Sequence, residues 1–197
     1  QKRTTNSLME KILVVDNYDS FVYNLVQILR ESGRAFDIVR NDCIPFDRLS
    51  DYRRLLLSPG PGVPQEAGEL LRLIGQCHAT HSILGVCLGH QAIGEYFGAE
   101  VRQLSLPKHG HASPLRILEP DDALYRGVED GTIVGRYHSW VLDRDTFPSC
   151  LHPTAVDEDG NIMSFTHRTL PVFGVQYHPE SVITVQGQAI VRNWLSV

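Results

Sequence analysis

Short, unbroken apolar runs alternate with segments of helical periodicity through the first half of the chain. Runs of this kind, bounded by turn signals, are typical of strands that are buried on both faces. The βαβ order predicts a parallel sheet covered by helices. The predicted strands are KILVV (11–15), FDIVR (36–40), the start of RRLLLSPGPG (53–62) and SILGV (82–86). One predicted helix begins at Phe21 and ends before Gly33, the glycine expected just after a helix end, and a second covers AGELLRLIGQC (67–77).

The second half of the chain predicts mostly strands and turns. Asp159 and Gly160 form a DG pair between two apolar stretches, which predicts a hairpin. We therefore expect a single α/β domain with a mainly parallel central sheet, flanked by helices, and a smaller antiparallel region. The further predicted elements are LRIL (115–118), TIVG (132–135), strands within TAVDEDGNIMSF (154–165), PVFGVQY (171–177) and a helix from about Val185 to Leu195.

Composition and charge narrow the class of protein. The chain has 197 residues, of which 42% are hydrophobic and 21% charged, and this is typical of one globular domain. No segment approaches the roughly 20 consecutive apolar residues of a membrane helix. A net charge of −5 with scattered basic residues argues against a nucleic-acid surface. We expect chemistry on a small molecule, with neither membrane nor nucleic acid as partner.

The N-terminal segment and the cysteines predict the domain boundary and the compartment. Met9 stands just before the first predicted strand, so residues 1–8 are interpreted as an extension or a non-native remnant and residues 9–197 as the domain. The opening QKRTTNSLMEK has no apolar core of signal-peptide type, and the four cysteines form no CxxC pair. Both features favour a reducing cytoplasm and free thiols.

Four loops follow predicted parallel strands, where the ligands of such sheets bind: DNYDSF, SPGPGVP, CLGHQ and HPES. Gly85 and Gly89 flank Cys87 as glycines flank the serine of G-x-S-x-G, a sharp strand-to-helix turn that lifts a nucleophile out of the sheet. A cysteine at a helix N-terminus also faces unpaired amides that favour its thiolate. An isolated cysteine is nevertheless more often a small buried hydrophobe, so a second signal is needed.

Metal binding is one alternative role for Cys87, because Cys77, His78, His81 and His90 lie nearby in the sequence. The strand SILGV separates His81 from Cys87, however, and five strand residues span roughly 16 Å. One zinc ion cannot bind both groups. We therefore predict no metal site.

The sequence QYHPES (176–181) supplies a partner of another kind. If His178 and Glu180 project from one side of the strand end, the imidazole can take the thiol proton. The carboxylate then fixes the tautomer of the imidazole and stabilises the imidazolium. HPE alone is a weak pattern, but together with the cysteine turn it predicts a nucleophile, its base and an orienting carboxylate.

Three motifs, SPGPG, GVCLGHQ and YHPES, together resemble the triad-type class I glutamine amidotransferases, which hydrolyse the side-chain amide of glutamine and pass ammonia to a synthase. Within that family, DNYDSFVYNL and GRYHSW are similar to the subunits that serve anthranilate synthase and aminodeoxychorismate synthase. The resemblance implies the flavodoxin-like fold of the family, L-glutamine as substrate and a hetero-oligomer with a chorismate-using synthase subunit, component I. It implies no cofactor on this chain, since magnesium is expected only on the partner.

The resemblance also implies roles for individual residues. Cys87 is the nucleophile, His178 the general acid and base, and Glu180 its partner. The backbone N–H groups of Leu88 and Gly60 are the implied oxyanion donors. The residues implied to hold the substrate glutamine are Gly60, Gly62, Gln91, Ser139 and Trp140, while His138 beside them is expected to be structural.

Two positions depart from the family pattern, and one motif has no assigned chemistry. His111 stands where a lysine is expected, and Trp140 where most close relatives have leucine. Catalysis should survive the Trp140 change if that position contributes mainly its backbone. If the expected lysine contacts the partner or gates the loop, we expect His111 in its place to change the coupling to the synthase. In DNYDSF we expect Asp19 or Ser20 to cap the following helix.

Two other interpretations stay open. A stand-alone cysteine amidase or γ-glutamyl hydrolase on the same fold would act without a partner. A flavodoxin-like signalling module would share VVDNYD after the first strand, but it needs an aspartate at the end of the third strand, where this chain has SPGPG.

Overall fold

The computed structural model describes residues 11–197, and the prediction for residues 1–8 lies outside them. The strands of the described part are β1 (Ile12–Asp16), β2 (Phe36–Arg40), β3 (Arg54–Leu57), β4 (Ser82–Val86), β5 (Val101–Gln103), β6 (His111–Pro114), β7 (Arg116–Ile117), β8 (Ile133–Arg136), β9 (Trp140–Leu142), β10 (Leu151–Val156), β11 (Ile162–His167) and β12 (Val172–Val175). The helices are α1 (Val22–Glu31), α2 (Leu70–Cys77), α3 (Leu88–Tyr96) and α4 (Gly187–Leu195).

Eight of the described strands form one sheet, in the order β2–β1–β3–β4–β12–β11–β10–β7. The first five strands in this order, β2, β1, β3, β4 and β12, run parallel to one another. The remaining three, β11, β10 and β7, extend the sheet through antiparallel pairs. The predicted mainly parallel sheet is therefore confirmed. Two small antiparallel pairs, β5 with β9 and β6 with β8, lie outside this sheet.

Residues 12–15 of the first strand are apolar without interruption because both faces of the sheet are covered. Ile12 and Val14 pack in one layer with residues of α1 and α4, whereas Leu13 and Val15 pack in the other with residues of α2 and α3. All four side chains are fully buried. Successive strand residues point to opposite faces, so an unbroken apolar run fills both layers of the core.

The predicted helices form with slightly different bounds. α1 ends just before Gly33, whose φ of 70° is the positive value that favours glycine after a helix. α2 begins at Leu70 rather than Ala67, because Pro64–Glu66 form a separate 3-10 turn. α4 begins at Gly187 rather than near Val185. Within residues 11–197, no helix is long and apolar enough to cross a membrane.

The predicted DG hairpin joins β10 to β11. Asp157 accepts hydrogen bonds from the backbone N–H groups of Asp159 and Asn161, which holds the turn. The strands β5, β6 and β9 were not predicted. They are short and partly exposed, and their pairing depends on partners far away in the sequence.

The sheet order brings the four loops to one edge. β1, β3, β4 and β12 are consecutive parallel neighbours, so their carboxyl ends lie side by side. The loops DNYDSF, SPGPGVP, CLGHQ and HPES leave the sheet at these ends. The expected ligand-binding edge is therefore formed by these loops.

Candidate active site

Cys87 lies on a sharp turn between β4 and α3. Its φ of 54° is uncommon for a residue other than glycine. A Cβ atom on Gly85 would lie 2.5 Å from the Gly89 carbonyl oxygen, and one on Gly89 would lie 2.5 Å from the Leu57 carbonyl oxygen. Only glycines allow this close approach of strand and helix. The turn presents the Cys87 thiol at the N-terminus of α3.

His178 and Glu180 form a buried pair. His178 Nδ1 and Glu180 Oε1 are 2.6 Å apart, and both side chains are almost fully buried. Because a carboxylate accepts, Nδ1 carries the hydrogen, and Nε2 is left without a hydrogen-bond partner among the described residues. Burial by itself lowers the pKa of His178, but interaction with Cys87 and with Glu180 outweighs it and raises the pKa to about 11. The imidazole is therefore held as a cation at neutral pH.

Two cavities meet at Cys87. The larger, of about 480 Å³, is lined by residues of all four loops, with His178 and Glu180 among them. The smaller, of about 210 Å³, is lined by the SPGPG loop, α3 and the segment that leads into β9. Cys87 is largely buried, but it contributes to both linings, so a small molecule in either space can contact it.

The residues predicted to hold glutamine lie together around the smaller cavity. Gly60, Gly62, Gln91, Ser139 and Trp140 all line it. Gln91 Nε2 donates a hydrogen bond of 2.9 Å to the Trp140 carbonyl. Residue 140 therefore makes this contact through its backbone carbonyl and not through its side chain.

The two predicted oxyanion donors lie in adjoining loops. Leu88 is the first residue of α3, where a backbone N–H has no partner within the helix. Gly60 packs against this residue so closely that a Cβ atom there would lie 3.0 Å from the Leu88 side chain. The SPGPG loop and the start of α3 therefore border Cys87 together.

The capping prediction for DNYDSF is wrong. Phe21 is the residue that precedes α1, and no side chain caps that helix. Asp19 Oδ1 accepts the Phe21 backbone N–H at 3.2 Å, while Oδ2 is buried without a hydrogen-bond partner among residues 11–197. Burial, with a contribution from the charge of Glu180, raises the pKa of Asp19 to about 6. Asp19 is thus a further acid in the larger cavity, whereas Ser20 is exposed there.

Sequence analysis also missed Gln176 and Tyr137. Gln176 Nε2 lies 3.5 Å from Cys87 Sγ. The Tyr137 ring packs against that of His178, with the centroids 5.0 Å apart. Gln176 stands two residues before His178, and alternate residues of an extended chain share a face, so its position carried a signal. Tyr137 carried none, since only the tertiary structure brings it to the site.

His111, which departs from the family pattern, and the residues considered together with Cys87 as metal ligands all lie outside the linings of the two cavities. His111 is exposed on β6 and lines neither cavity. His81 Nε2 lies 2.9 Å from the Leu49 carbonyl, and burial raises the pKa of Cys77 to about 11. In the described part of the chain, no three His, Cys, Asp or Glu side chains are grouped as metal ligands would be.

Related sequences cover nearly the whole chain. The family described as Glutamine amidotransferase class-I matches residues 13–197. Anthranilate synthase beta subunit 1, chloroplastic, of Arabidopsis thaliana is 44% identical over 192 residues, which cover 94% of this chain and 70% of that protein. Aminodeoxychorismate/anthranilate synthase component 2 of Bacillus subtilis is 40% identical over 186 residues, which cover 93% of this chain and 95% of that protein.

Solved structures share the architecture. A Thermoplasma acidophilum protein that is provisionally named as one subunit of a GMP synthase matches with a TM-score of 0.85 and 29% identity, covering 95% of this chain and 93% of that chain. A glutamine amidotransferase of Thermotoga maritima matches with a TM-score of 0.70 and 18% identity, covering 95% and 81%, and this likeness concerns the fold alone. The family match covers residues 13–197, and the two relatives are at least 40% identical over more than nine tenths of the chain. The chain therefore belongs to the class I glutamine amidotransferase family.

Proposed function

We propose that this chain is the glutaminase subunit of a two-part synthase and supplies ammonia to a chorismate-using partner. The observation that carries the proposal is the meeting of the Cys87 turn with the His178–Glu180 pair where two cavities join. The choice of synthase is supported by relatives that are named as components of anthranilate and aminodeoxychorismate synthases.

The first half of the proposed reaction breaks the glutamine amide. The Cys87 thiolate attacks the side-chain amide carbon, and the resulting oxyanion accepts hydrogen bonds from the backbone N–H groups of Leu88 and Gly60. The His178 imidazolium donates its Nε2 proton to the amide nitrogen as the C–N bond breaks. Ammonia leaves, and the γ-glutamyl group stays on Cys87 as a thioester.

The second half releases glutamate. Water attacks the thioester carbon and gives a proton to His178, which is neutral after the first half. The second tetrahedral intermediate expels the Cys87 sulfur as a thiolate, and the new carboxyl group loses its proton to solvent. Glu180 stabilises the imidazolium that reappears, so the site returns to its starting charge.

The two cavities suit the substrate and the released ammonia. Gln91 and the backbone of Ser139 and Trp140 give the smaller cavity polar walls for the amino-acid end of glutamine, whose side-chain amide then reaches Cys87. The larger cavity lies between the loops and is bordered by exposed Phe21 and Val182. We expect ammonia to leave through it toward the synthase.

The partner is component I, the chorismate-using subunit, in a hetero-oligomer. Apart from glutamine and water, every group in the steps above is a side chain or backbone amide of this chain. We therefore expect no cofactor here and magnesium on the partner only. The cytoplasmic location predicted from the free thiols stays a prediction, and one relative is named as chloroplastic.

Glutamate release with and without the partner distinguishes this proposal from a stand-alone amidase or γ-glutamyl hydrolase. Purified chain is assayed alone and after addition of an anthranilate synthase or aminodeoxychorismate synthase component I. We expect low release alone and a rise with one or both of these chains, together with amination of chorismate. Equal release in all three samples would contradict the subunit role and favour the free hydrolase.

A further inference from the structure

A buried chain of hydrogen bonds ends on the Cys87 sulfur, and its members Arg136, His138 and Gln176 have no role in the steps above. It starts at Arg136, which forms an ion pair of 2.9 Å with Asp157. The side chains that take part are all buried. The hydrogen bonds of this chain lead first from Arg136 Nε to His138 Nε2 at 3.1 Å, and from His138 Nδ1 to the Trp140 carbonyl at 2.9 Å. Gln91 Nε2 donates to the same carbonyl at 2.9 Å and to Gln176 Oε1 at 3.1 Å. Gln176 Nε2 then lies 3.5 Å from Cys87 Sγ.

Arg136 fixes the tautomer of His138. A guanidinium group only donates hydrogen bonds, so His138 Nε2 must accept one. The ring hydrogen is then on Nδ1, which donates it to the Trp140 carbonyl. Burial first, and then the charge of Arg136, lower the pKa of His138 to about 4 and keep the ring neutral.

The Trp140 carbonyl fixes the orientation of the two glutamine amides. A carbonyl only accepts, so Gln91 turns its NH₂ group toward Trp140. The second hydrogen of that NH₂ group goes to Gln176 Oε1. The NH₂ group of Gln176 is therefore the part that faces Cys87 Sγ.

We propose that the Gln176 side-chain amide is a further catalytic group, which donates a hydrogen bond to the Cys87 thiolate and stabilises it. The inference rests on the proposed role of Cys87 as the nucleophile. Gln176 is fully buried, so water does not compete for this hydrogen bond. The amide has no charge to lose, so its hydrogen bond supports the thiolate at every pH, whereas the support from His178 ends when its imidazolium is deprotonated.

Alkylation of Cys87 by iodoacetamide measures the thiolate without any glutamine turnover. In Gln176→Met the side chain keeps its length but loses the donor, and we expect alkylation of Cys87 at pH 7 to be about fivefold slower, the factor that corresponds to the loss of one neutral hydrogen bond. The difference should shrink at alkaline pH, where the thiol is deprotonated in both proteins. The ionisable groups that border the two cavities at Cys87 are the same in both proteins: Tyr18, Asp19, Lys108, His109, Tyr137, His138, His178 and Glu180.

Two controls separate this effect from a general disturbance. Exposed Cys43, followed by peptide mass spectrometry in the same samples, should react equally in both proteins. Gln65→Met removes an amide that donates to Glu95 at 2.8 Å on the surface, and it should leave the Cys87 rate unchanged. If Gln176→Met fails to fold, Gln176→Asn keeps a polar amide that is too short to reach Sγ, and the same deficit is expected.

Equal Cys87 rates in wild type and the Gln176 variant would overturn the proposal. A deficit that persists undiminished at alkaline pH would also overturn it, because it would indicate lost access rather than a lost thiolate. The outcome is separable from that of the proposed function, since alkylation requires neither glutamine nor the synthase. Glutamine turnover by a Cys87→Ser variant would contradict the nucleophile while leaving the alkylation result intact.

Discussion

Replacing Glu180 with glutamine removes the negative charge behind His178 while leaving an acceptor of the same length. Glu180 Oε1 lies 2.6 Å from His178 Nδ1 in an almost fully buried pair. A hydrogen bond to a charged group contributes about 1.5–3 kcal/mol and a neutral one about 0.5–1.5 kcal/mol. The variant therefore loses about 1–1.5 kcal/mol of support for the imidazolium. Because the imidazolium forms anew when water attacks the thioester, this difference corresponds to thioester hydrolysis that is about five- to thirteenfold slower.

The Glu180→Gln change should also alter the pH dependence. Burial opposes the imidazolium, and interaction with Cys87 and Glu180 outweighs it, raising the pKa of His178 from 6.5 to about 11. A pKa that is raised on folding stabilises the native state fully below pH 6.5, and this contribution is lost as the pH rises toward 11. Without the Glu180 charge, the pKa of His178 falls. As the pH is raised, glutamine hydrolysis and the free energy of unfolding should therefore begin to decline at a lower pH in the variant than in wild type.

Glutamate release by the complex, measured from about pH 6 to above pH 11 so that the range includes the pKa of His178, tests both effects. Glu119→Gln is the matched control, because Glu119 pairs with His152 at 2.8 Å but both side chains are more than one third exposed. That variant should keep the wild-type rate and profile. A wild-type rate with an unshifted alkaline limb in Glu180→Gln would refute the role assigned to Glu180.

Two further predictions follow from the geometry of the site. His178→Ala should reduce glutamine hydrolysis by about 10²–10⁴-fold relative to wild type, because no group then protonates the leaving nitrogen. Initial rates measured on folded protein test this prediction, and a loss no larger than that of Glu180→Gln would contradict it. Gly89→Ala should lower the free energy of unfolding by about 1–3 kcal/mol, because its Cβ would meet the Leu57 carbonyl. Urea unfolding against Gly75→Ala, where the nearest atom is in the Tyr96 ring at 3.2 Å, measures this effect, and equal stabilities would contradict the close packing at the turn.

The parts of the fold that the sequence predicts are those whose cause is local. The residues ILVV (12–15) are all apolar because β1 is covered on both faces, and that pattern is visible without the structure. The turn at Cys87 was predicted for a similar reason, since Gly85 and Gly89 must stand on either side of it. The strands β5 and β9 were missed because their short sequences become strands only through each other.

The site shows the same division between local and tertiary causes. His178 and Glu180 are two residues apart, so their pairing could be predicted from one motif. Asp19 was interpreted as a helix cap because a carboxylate before a helix usually is one, and only the fold brings it near Glu180. Tyr137 reaches His178 from a segment that no local pattern connects to HPES.

Whether Cys87 bonds covalently to the substrate is tested most directly by Cys87→Ser in the reconstituted complex. The change is nearly isosteric, so packing alone predicts little loss beyond the modest cost of a buried hydroxyl. A nucleophilic Cys87 predicts that glutamine-dependent amination of chorismate collapses, because serine lacks the soft nucleophile that forms the thioester. Product formation is compared with glutamine and with ammonium salt at alkaline pH. We expect synthesis from ammonia to persist while synthesis from glutamine is lost, and glutamine-dependent turnover retained in the folded variant would contradict the catalytic role of Cys87.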